Sequence, residues 1–460
     1  MSNRPETNKQ SCPVYKKCGG CQLQNLSYPE QLEFKQRKVE KLLKRFCTVE
    51  KIIGMKTPYH YRNKVQAAFY TDKKGKIISG VYQSGSHHVV GIDSCQTEDV
   101  IADKIIVAVR KLLPSFRMTT YNEDTGKGFL RHILVKRGFA TNQIMLVLVT
   151  GTPVFPSKNN FVKAILKQFP EITTIVQNIN PYRTNLVLGD NQKVLYGKGY
   201  IEDILCGCRF RISPKSFYQI NPVQTEVLYG KAIEFANLKG NETVLDTYCG
   251  IGTIGIIAAK NGAGNVIGAE LNGDAVRDAI VNARANNLKN IRFYKADAGE
   301  FMREAADEDE KPDVVFMDPP RAGSDRKFLD SLIKMSPKKV VYVSCNPETL
   351  ARDLAYLTQN SPYKAQKIQP VDMFPHTAHI ETVVLLSRKK PDGHINVKVE
   401  FGEGEGKVPL DNIAKRAEEY KPKERVTYKM IKEYIEAKYS FKVHTAYIAE
   451  VKRDLGLPMY

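Results

Sequence analysis

The segment Val340-Val-Tyr-Val-Ser-Cys-Asn-Pro347 predicts a buried strand of a parallel sheet, because its first four residues are apolar or aromatic. The polar residues Ser344, Cys345 and Asn346 then lie at the carboxyl end of the strand, where open α/β sheets bind their ligands. A cysteine at this position can act as a nucleophile. Taken alone, Cys345 is more often a buried structural cysteine, so its role depends on the rest of the chain.

A second predicted strand, Thr243-Val-Leu-Asp246, runs into a glycine-rich turn. The turn opens a helix, as a cofactor-binding turn requires, and its G-x-G-x-x-G glycines are Gly250, Gly252 and Gly255. A third strand, Val266-Ile-Gly-Ala-Glu270, ends in an acid suited to bind two ribose hydroxyls. These features fit either a dinucleotide or S-adenosylmethionine. The carboxylate of Asp246 favours the latter, because it can bind a cationic ammonium group.

Two further acids follow predicted strands in the same half of the chain. Val314-Val-Phe-Met-Asp318-Pro-Pro-Arg321 ends in an Asp-Pro-Pro motif. Its prolines hold the backbone extended, so Asp318 can face a planar nitrogen heterocycle or its attached group, which again favours S-adenosylmethionine. Glu381 begins the closing strand Thr382-Val-Val-Leu-Leu386. A carboxylate there is either a structural ion-pair partner or a general base with a raised pKa.

The N-terminal cysteines Cys12, Cys18 and Cys21 have the spacing C-x5-C-x2-C, with two glycines before the last. Such glycines let the backbone fold around a metal centre. Zinc sites and iron–sulfur clusters both take four ligands, and Cys95, in a loop after a β-rich segment, is the best fourth candidate. The spacing does not separate zinc from an iron–sulfur cluster.

The charge of the 460-residue chain is strongly positive, at +19 with a pI of about 9.3. A polyanionic partner, most simply nucleic acid, explains such a charge. The nine cysteines point to metal ligands, a nucleophile and buried residues rather than to a disulfide framework. Because we find neither a signal peptide nor an apolar run of about 18 residues, we expect a cytoplasmic protein with no membrane span.

These motifs together resemble one family, the RNA uracil-C5 methyltransferases that carry an iron–sulfur cluster. Its typical members are bacterial 23S ribosomal RNA (uracil-5-)-methyltransferases. The resemblance covers about Ser11 to Ser387, and the motifs lie in the family's order. The segments that carry it are the cysteines at 12, 18, 21 and 95, Asp318-Pro-Pro-Arg321, Ser344-Cys345-Asn-Pro347 and His379-Ile-Glu381.

The resemblance implies methylation of C5 of a uridine in 23S ribosomal RNA, with S-adenosylmethionine as the methyl donor. Cys345 is then the nucleophile that adds to C6, and Glu381 is the proton acceptor. We expect the helix after Cys345 to lower the pKa of its thiol. The implied cofactor-site residues are Gln219, Tyr248, Glu270 and Asp318. The implied ligands of a structural [4Fe–4S] cluster, with zinc as the weaker alternative, are Cys12, Cys18, Cys21 and Cys95.

The expected fold class is α/β, with a Rossmann-like methyltransferase domain, a β-rich iron–sulfur central domain and a small helical C-terminal extension. The extension is either an RNA-binding module or a stabilising cap. The expected parts are the cluster segment 1–24, a linking helix 25–49, the β-rich RNA-binding domain 50–205 that completes the cluster site, the catalytic domain 206–390 and the extension 391–460.

Other functions remain open at the level of sequence. The same chemistry on a transfer RNA uridine is the main alternative. A non-catalytic iron–sulfur RNA-binding protein is another, against which the intact Cys345, Glu381 and Asp318 argue. A DNA cytosine methyltransferase fits less well. Its nucleophilic cysteine usually follows a proline, whereas Cys345 follows Ser344. Many family members place a β-barrel RNA-binding domain before the cluster; this chain begins almost at the cluster, so we expect RNA to be held elsewhere, by a monomer.

Overall fold

The computed structural model describes residues 12–83, 86, 88–184, 186–308 and 310–388. In this part of the chain, the strands are β1 (Lys64–Thr71), β2 (Ile77–Tyr82), β3 (Val89–Gly91), β4 (Leu130–Arg137), β5 (Ile144–Thr150), β6 (Ile172–Ile179), β7 (Asn191–Tyr196), β8 (Ile201–Leu205), β9 (Cys208–Ile212), β10 (Thr243–Asp246), β11 (Asn265–Glu270), β12 (Ile291–Lys295), β13 (Val314–Met317), β14 (Lys339–Ser344), β15 (Tyr363–Val371) and β16 (Glu381–Arg388). The helices are α1 (Tyr15–Cys18), α2 (Tyr28–Leu43), α3 (Val100–Leu112), α4 (Lys158–Gln168), α5 (Pro222–Ala236), α6 (Thr253–Lys260), α7 (Gly273–Ala285), α8 (Ala298–Asp307), α9 (Arg326–Met335) and α10 (Pro347–Asn360), with a short 3-10 helix at Pro114–Phe116.

The C-terminal sheet has the order β12-β11-β10-β13-β14-β16-β15. Strands β10 to β14 run parallel to one another, which confirms the parallel strand predicted at Val340. The last strand, β16, is antiparallel to both β14 and β15, so the sheet is mixed. Helices α5, α6 and α7 contribute to one apolar core of this sheet, and α2, α8, α9 and α10 contribute to another.

The N-terminal sheet has the order β3-β2-β1-β4-β5-β6-β7 and is antiparallel except for the β5–β6 pair. Its central strands β4, β5 and β6 are buried on both faces. Ile133 and Val135 of β4 pack into a core with α3 and α4. Leu134 and Met145 point to the opposite face and join the core that contains α5 and the C-terminal sheet. The two sheets therefore share one continuous apolar core. The predicted domain boundary at residue 205 falls at the turn of the β8–β9 hairpin, and the domain limits remain predictions.

The linking helix expected within residues 25–49 is α2. It begins after Ser27, whose side chain forms a capping box with Glu30. A buried ion pair attaches this helix to the segment that leads to β16. Lys35 Nζ donates to Asp372 Oδ1 at 2.5 Å, and neither side chain of the pair is exposed to solvent.

The predicted C-terminal extension, residues 391–460, lies outside the described residues, so its role as RNA-binding module or cap stays a prediction. None of the described helices is both long enough and apolar enough to span a membrane.

Substitution of Lys35 by Ala is expected to lower the free energy of unfolding by about 3–5 kcal/mol, because it leaves the buried carboxylate of Asp372 without its counter-ion. Chemical denaturation monitored by circular dichroism measures this change. Arg37 lies on the same helix and pairs with Glu33, but both side chains are more than half exposed. Arg37→Ala is therefore the matched control, with an expected change below about 1 kcal/mol. Equal losses for both variants would contradict this account of α2.

Candidate active site

The antiparallel pairing of β14 and β16 brings the two predicted reactive side chains together. Ser344, the last residue of β14, is the register partner of Thr382. One residue further along this register, Cys345 lies opposite Glu381, the first residue of β16. Residues opposite each other on such strands have Cα atoms roughly 4.5–5.5 Å apart. Glu381 is only 3% exposed, whereas Cys345 is partly exposed and therefore open to a substrate.

The electrostatic surroundings of Cys345 differ from the expected ones. Burial, followed by the negative charges of Glu381 and Asp318, raises the pKa of its thiol to about 11, and the Arg321 guanidinium opposes this only in part. The expectation of a lowered pKa is therefore wrong for the free protein, although α10 does begin two residues later at Pro347. Two adjacent carboxyl groups outweigh the partial positive charge of one helix end.

The carboxyl groups beside Cys345 also have raised pKa values. Burial raises the pKa of Asp318 to about 7. Burial, and then the charge of Asp318, raises the pKa of Glu381 well above its usual range, against an opposing contribution from Arg321. Two like charges this close share a proton more easily than they both ionise. A buried carboxylate of this kind is a strong proton acceptor once it is charged.

A third carboxylate lies at the end of β10, beside the glycine-rich turn. The Gly255 N–H donates to Asp246 Oδ2 at 2.8 Å, while the buried Oδ1 atom has no hydrogen-bond partner in the structure. Burial, and then the charges of Asp318 and Glu270, raises the pKa of Asp246 to about 7. The turn itself needs glycine at position 252, where φ is +82° and a Cβ atom would lie 2.8 Å from the Phe293 ring.

Glu270, at the end of β11, is fixed by backbone donors. Gly250 N–H donates to its Oε2 at 3.1 Å and Asn272 N–H to its Oε1 at 2.7 Å. Asp246 and Glu270 thus end two strands, and Asp318 directly follows a third, at the same edge of the sheet, as the sequence predicts. A cluster of carboxylates at one sheet edge is complementary to a cationic ligand, whereas the pyrophosphate of a dinucleotide would be repelled.

The remaining two predicted cofactor residues reach this edge from other elements. Gln219, which is 9% exposed, contacts the hydroxyl of the buried Tyr229, as does the side chain of Thr253. Tyr248 follows β10 and its ring lies 5.5 Å from that of Phe328. The structure therefore brings all four predicted cofactor-site residues and the Cys345–Glu381 pair to one edge of the C-terminal sheet.

Sequence analysis assigns no role to Tyr229 or Arg321, although both belong to this edge. Tyr229 lies close to Asp318 and Asp246. Burial is the main cause of the raised pKa of its hydroxyl, and the negative charges of these two carboxylates add to it. Its position inside α5 gives no signal in the sequence, because a helical tyrosine is ordinarily an apolar filler. Arg321 directly follows the Asp-Pro-Pro motif, and this adjacency is the signal that points to it.

The four predicted metal ligands are neighbours. Burial raises the pKa of the Cys21 thiol to about 12, and the nearby thiolates of Cys95, Cys18 and Cys12 contribute to this rise. All four are free cysteines. In the described part of the chain, however, no group of three or more His, Cys, Asp or Glu side chains is arranged to hold a metal ion.

Comparisons with known proteins extend these observations. A family model described as "tRNA (Uracil-5-)-methyltransferase" matches residues 163–389. An uncharacterized RNA methyltransferase of Bacillus cereus is 44% identical over 389 residues, which cover 84% of this chain and 84% of the relative. An uncharacterized RNA methyltransferase of Listeria monocytogenes is 46% identical over 379 residues, covering 82% of this chain and 83% of the relative.

A solved structure supports the same assignment. The tRNA (uracil-54, C5)-methyltransferase of Pyrococcus abyssi, in complex with S-adenosyl-L-homocysteine, is 30% identical and superposes with a TM-score of 0.68. The match covers 82% of this chain and 87% of that one. Sequence identity and fold agree over most of both proteins, and on these grounds the chain is an RNA methyltransferase that belongs to the tRNA (uracil-5-)-methyltransferase family.

Proposed function

We propose that the protein methylates C5 of a uridine in RNA with S-adenosylmethionine as the methyl donor. The observation that carries this proposal is the pairing of β14 with β16, which sets the Cys345 thiol opposite the Glu381 carboxyl group at the sheet edge. A nucleophile and a proton acceptor side by side are what substitution at an unreactive ring carbon needs.

The carboxylates at the sheet edge support S-adenosylmethionine as the cofactor. The unpartnered Oδ1 atom of Asp246 offers an acceptor for the ammonium group. Glu270, held by two backbone N–H donors, is placed to accept from the ribose hydroxyls, and Gln219, Tyr248 and Asp318 complete the site. Burial, and then repulsion by Asp318 and Glu270, raises the pKa of Asp246, and binding of a cation here would offset both effects.

Cys345 would begin the reaction. Uracil C5 is a poor nucleophile, and addition of the Cys345 thiolate to C6 converts the ring to an enolate whose C5 is electron-rich. S-adenosylmethionine supplies the electrophilic methyl group. Glu381 then accepts the C5 proton, and elimination restores both the aromatic ring and the free Cys345. The target base must leave its stack to reach Cys345, so the RNA is bound with a flipped nucleotide.

A thiol with a pKa of about 11 has to lose its proton before it can attack. Because Cys345 is partly exposed, this proton passes to solvent. The Asp318–Glu381 pair, with one shared proton, then keeps its one basic site for the C5 proton. Arg321 lowers the pKa values of both Cys345 and Glu381, so its guanidinium stabilises the charged forms that the two side chains need during turnover.

The RNA substrate has two candidates. The motif resemblance favours 23S ribosomal RNA, which we propose first. The Pyrococcus abyssi protein, which is 30% identical, is named for a transfer RNA uridine, and this favours transfer RNA as the second candidate. The formal charge of +19 suits either polyanion.

We further propose that Cys12, Cys18, Cys21 and Cys95 hold a [4Fe–4S] cluster with a structural role. The donor set fits, because the four thiols are neighbours and their thiolates lose their mutual repulsion when they bind a cationic centre. Burial raises the pKa values of Cys18, Cys21 and Cys95 in the free protein. The resemblance to the cluster-bearing family favours a [4Fe–4S] cluster, with zinc as the weaker alternative.

Anaerobically purified protein is expected to transfer a labelled methyl group from S-adenosylmethionine to C5 of one or more uridines in unmodified 23S ribosomal RNA, mapped by mass spectrometry. Cys345→Ala should abolish transfer, because the enolate cannot form, while cofactor affinity stays within about twofold of the parent. Cys47→Ala, a partly exposed cysteine outside the site, is the control that should keep full activity. Turnover by Cys345→Ala would overturn the nucleophile assignment. Label found only in transfer RNA would show that transfer RNA, and not ribosomal RNA, is the substrate. Label in neither RNA would favour a non-catalytic RNA-binding protein.

Alkylation of Cys345 by iodoacetamide in the free protein is expected to become faster as the pH rises from 7 towards about 11, because only the thiolate reacts. Glu381→Gln removes a negative neighbour that raises the pKa of Cys345, so in this variant the alkylation rate should rise at a lower pH. Peptide mass spectrometry follows Cys345 separately from the other cysteines. A rate that is already at its plateau at pH 7 would show a thiolate in the free protein and refute this assignment.

Iron and inorganic sulfide are expected in equal amounts, about four of each per chain, in protein purified without oxygen. Cys21→Ala should lose most of the iron, because it removes the thiol that neighbours the other three. Cys206→Ala, at a hairpin turn, is the control that keeps it. Zinc in place of iron, measured by elemental analysis, would contradict the cluster and favour the alternative metal.

A further inference from the structure

A buried lysine of the N-terminal sheet contacts the loop that carries a proposed cofactor residue. Lys136 lies on β4 opposite Lys64 of β1, and it is 5% exposed. Its ammonium group donates to the carbonyl of Ser213 at 2.9 Å and to the carbonyl of Ser216 at 2.8 Å. No carboxylate lies within ion-pair distance of Lys136 among the described residues. Burial, and then the charge of Lys64, lowers the pKa of Lys136 to about 7.

The same turn is held from the other side by the C-terminal sheet. The hydroxyls of Ser213 and Ser216 both donate to Asp278 Oδ2, the latter at 2.7 Å. Asp278 lies on α7, which packs on β11 and β12. The turn 213–216 is therefore held on both sides. Its carbonyls bind Lys136 of the N-terminal sheet, and its hydroxyls bind Asp278 beside the C-terminal sheet.

Gln219 lies between this turn and a second fixed point. Downstream, the Asn221 side chain donates to the Met373 carbonyl at 2.9 Å, and the Asn63 N–H donates to the Ile220 carbonyl at 2.9 Å. Within the segment, Tyr218 donates to Asp203 at 3.3 Å. Both ends of the segment that carries Gln219 are therefore held, and its side chain contacts the Tyr229 hydroxyl at the sheet edge.

We propose that Lys136 is a positioning residue of the methyltransferase site: by holding the carbonyls of Ser213 and Ser216, it fixes Gln219 against the cofactor. This inference rests on the proposed role of Gln219. Burying an ammonium group costs stability unless hydrogen bonds compensate for the lost water. A stability role alone would be served as well by an apolar side chain at this place in the core. The lysine instead makes cofactor binding depend on the N-terminal sheet, which is the sheet proposed to hold RNA.

Lys136→Met keeps the length of the side chain and removes both hydrogen bonds. We expect it to weaken binding of S-adenosyl-L-homocysteine about tenfold or more in calorimetry, and to raise the KM for S-adenosylmethionine by a similar factor while kcat changes less. The calorimetric stoichiometry should stay near that of the parent. Lys215→Met is the matched control, since Lys215 belongs to the same turn but pairs with the exposed Asp190; its affinity should stay within about twofold.

An unchanged affinity in Lys136→Met, with only a lower melting temperature, would overturn the inference and leave a structural lysine. Because this variant can fail to fold, Asp278→Asn provides a second test from the opposite side of the turn. Asp278→Asn should also weaken binding of S-adenosyl-L-homocysteine, and a normal affinity in this variant would equally overturn the inference. Failure of the parent protein to bind S-adenosyl-L-homocysteine at all would instead refute the proposed function.

Discussion

The site depends on one antiparallel strand pairing, that of β14 with β16. In a sheet of parallel strands only carboxyl ends meet at the ligand-binding edge. Because β16 runs in the opposite direction, its first residue, Glu381, lies at the edge where β14 ends in Ser344 and Cys345 follows. A parallel β16 would place Glu381 at the far edge of the sheet. The reversed strand is therefore what allows the Cys345 thiol and the Glu381 carboxyl group to lie at one edge.

The segment before β16 is held by the N-terminal part of the chain. The His376 carbonyl accepts from the Leu23 N–H at 2.9 Å, and the His376 side chain lies 2.9 Å from the Pro58 carbonyl. The Pro375 carbonyl accepts from the Tyr61 hydroxyl at 2.9 Å. Leu23 follows Cys21 by two residues, so the cysteine segment lies directly against the loop that leads to Glu381. The cluster proposed for these cysteines would therefore stabilise that loop.

Much of this arrangement could be predicted from the sequence, because strand ends are local features. The apolar runs before Asp246, Asp318 and Cys345 fix where each strand ends, and parallel strands bring such ends together. The direction of β16 has no comparable local signal. The raised pKa of Cys345 could not be predicted either, because it arises from burial and from carboxyl groups distant in sequence. The Lys35–Asp372 pair, which joins residues 337 positions apart, is likewise visible only in the folded chain.

We propose that Cys345 and Glu381 act in sequence on one uridine, and the variant Glu381→Gln gives the most direct measurement of this. This variant keeps the thiol but cannot accept the C5 proton, so elimination is blocked. Incubated with RNA and S-adenosylmethionine, it should form a covalent protein–RNA adduct that migrates slowly on a denaturing gel, and the double variant with Cys345→Ala should form none. Normal turnover by Glu381→Gln without any adduct would contradict the account and place the proton acceptor on another residue.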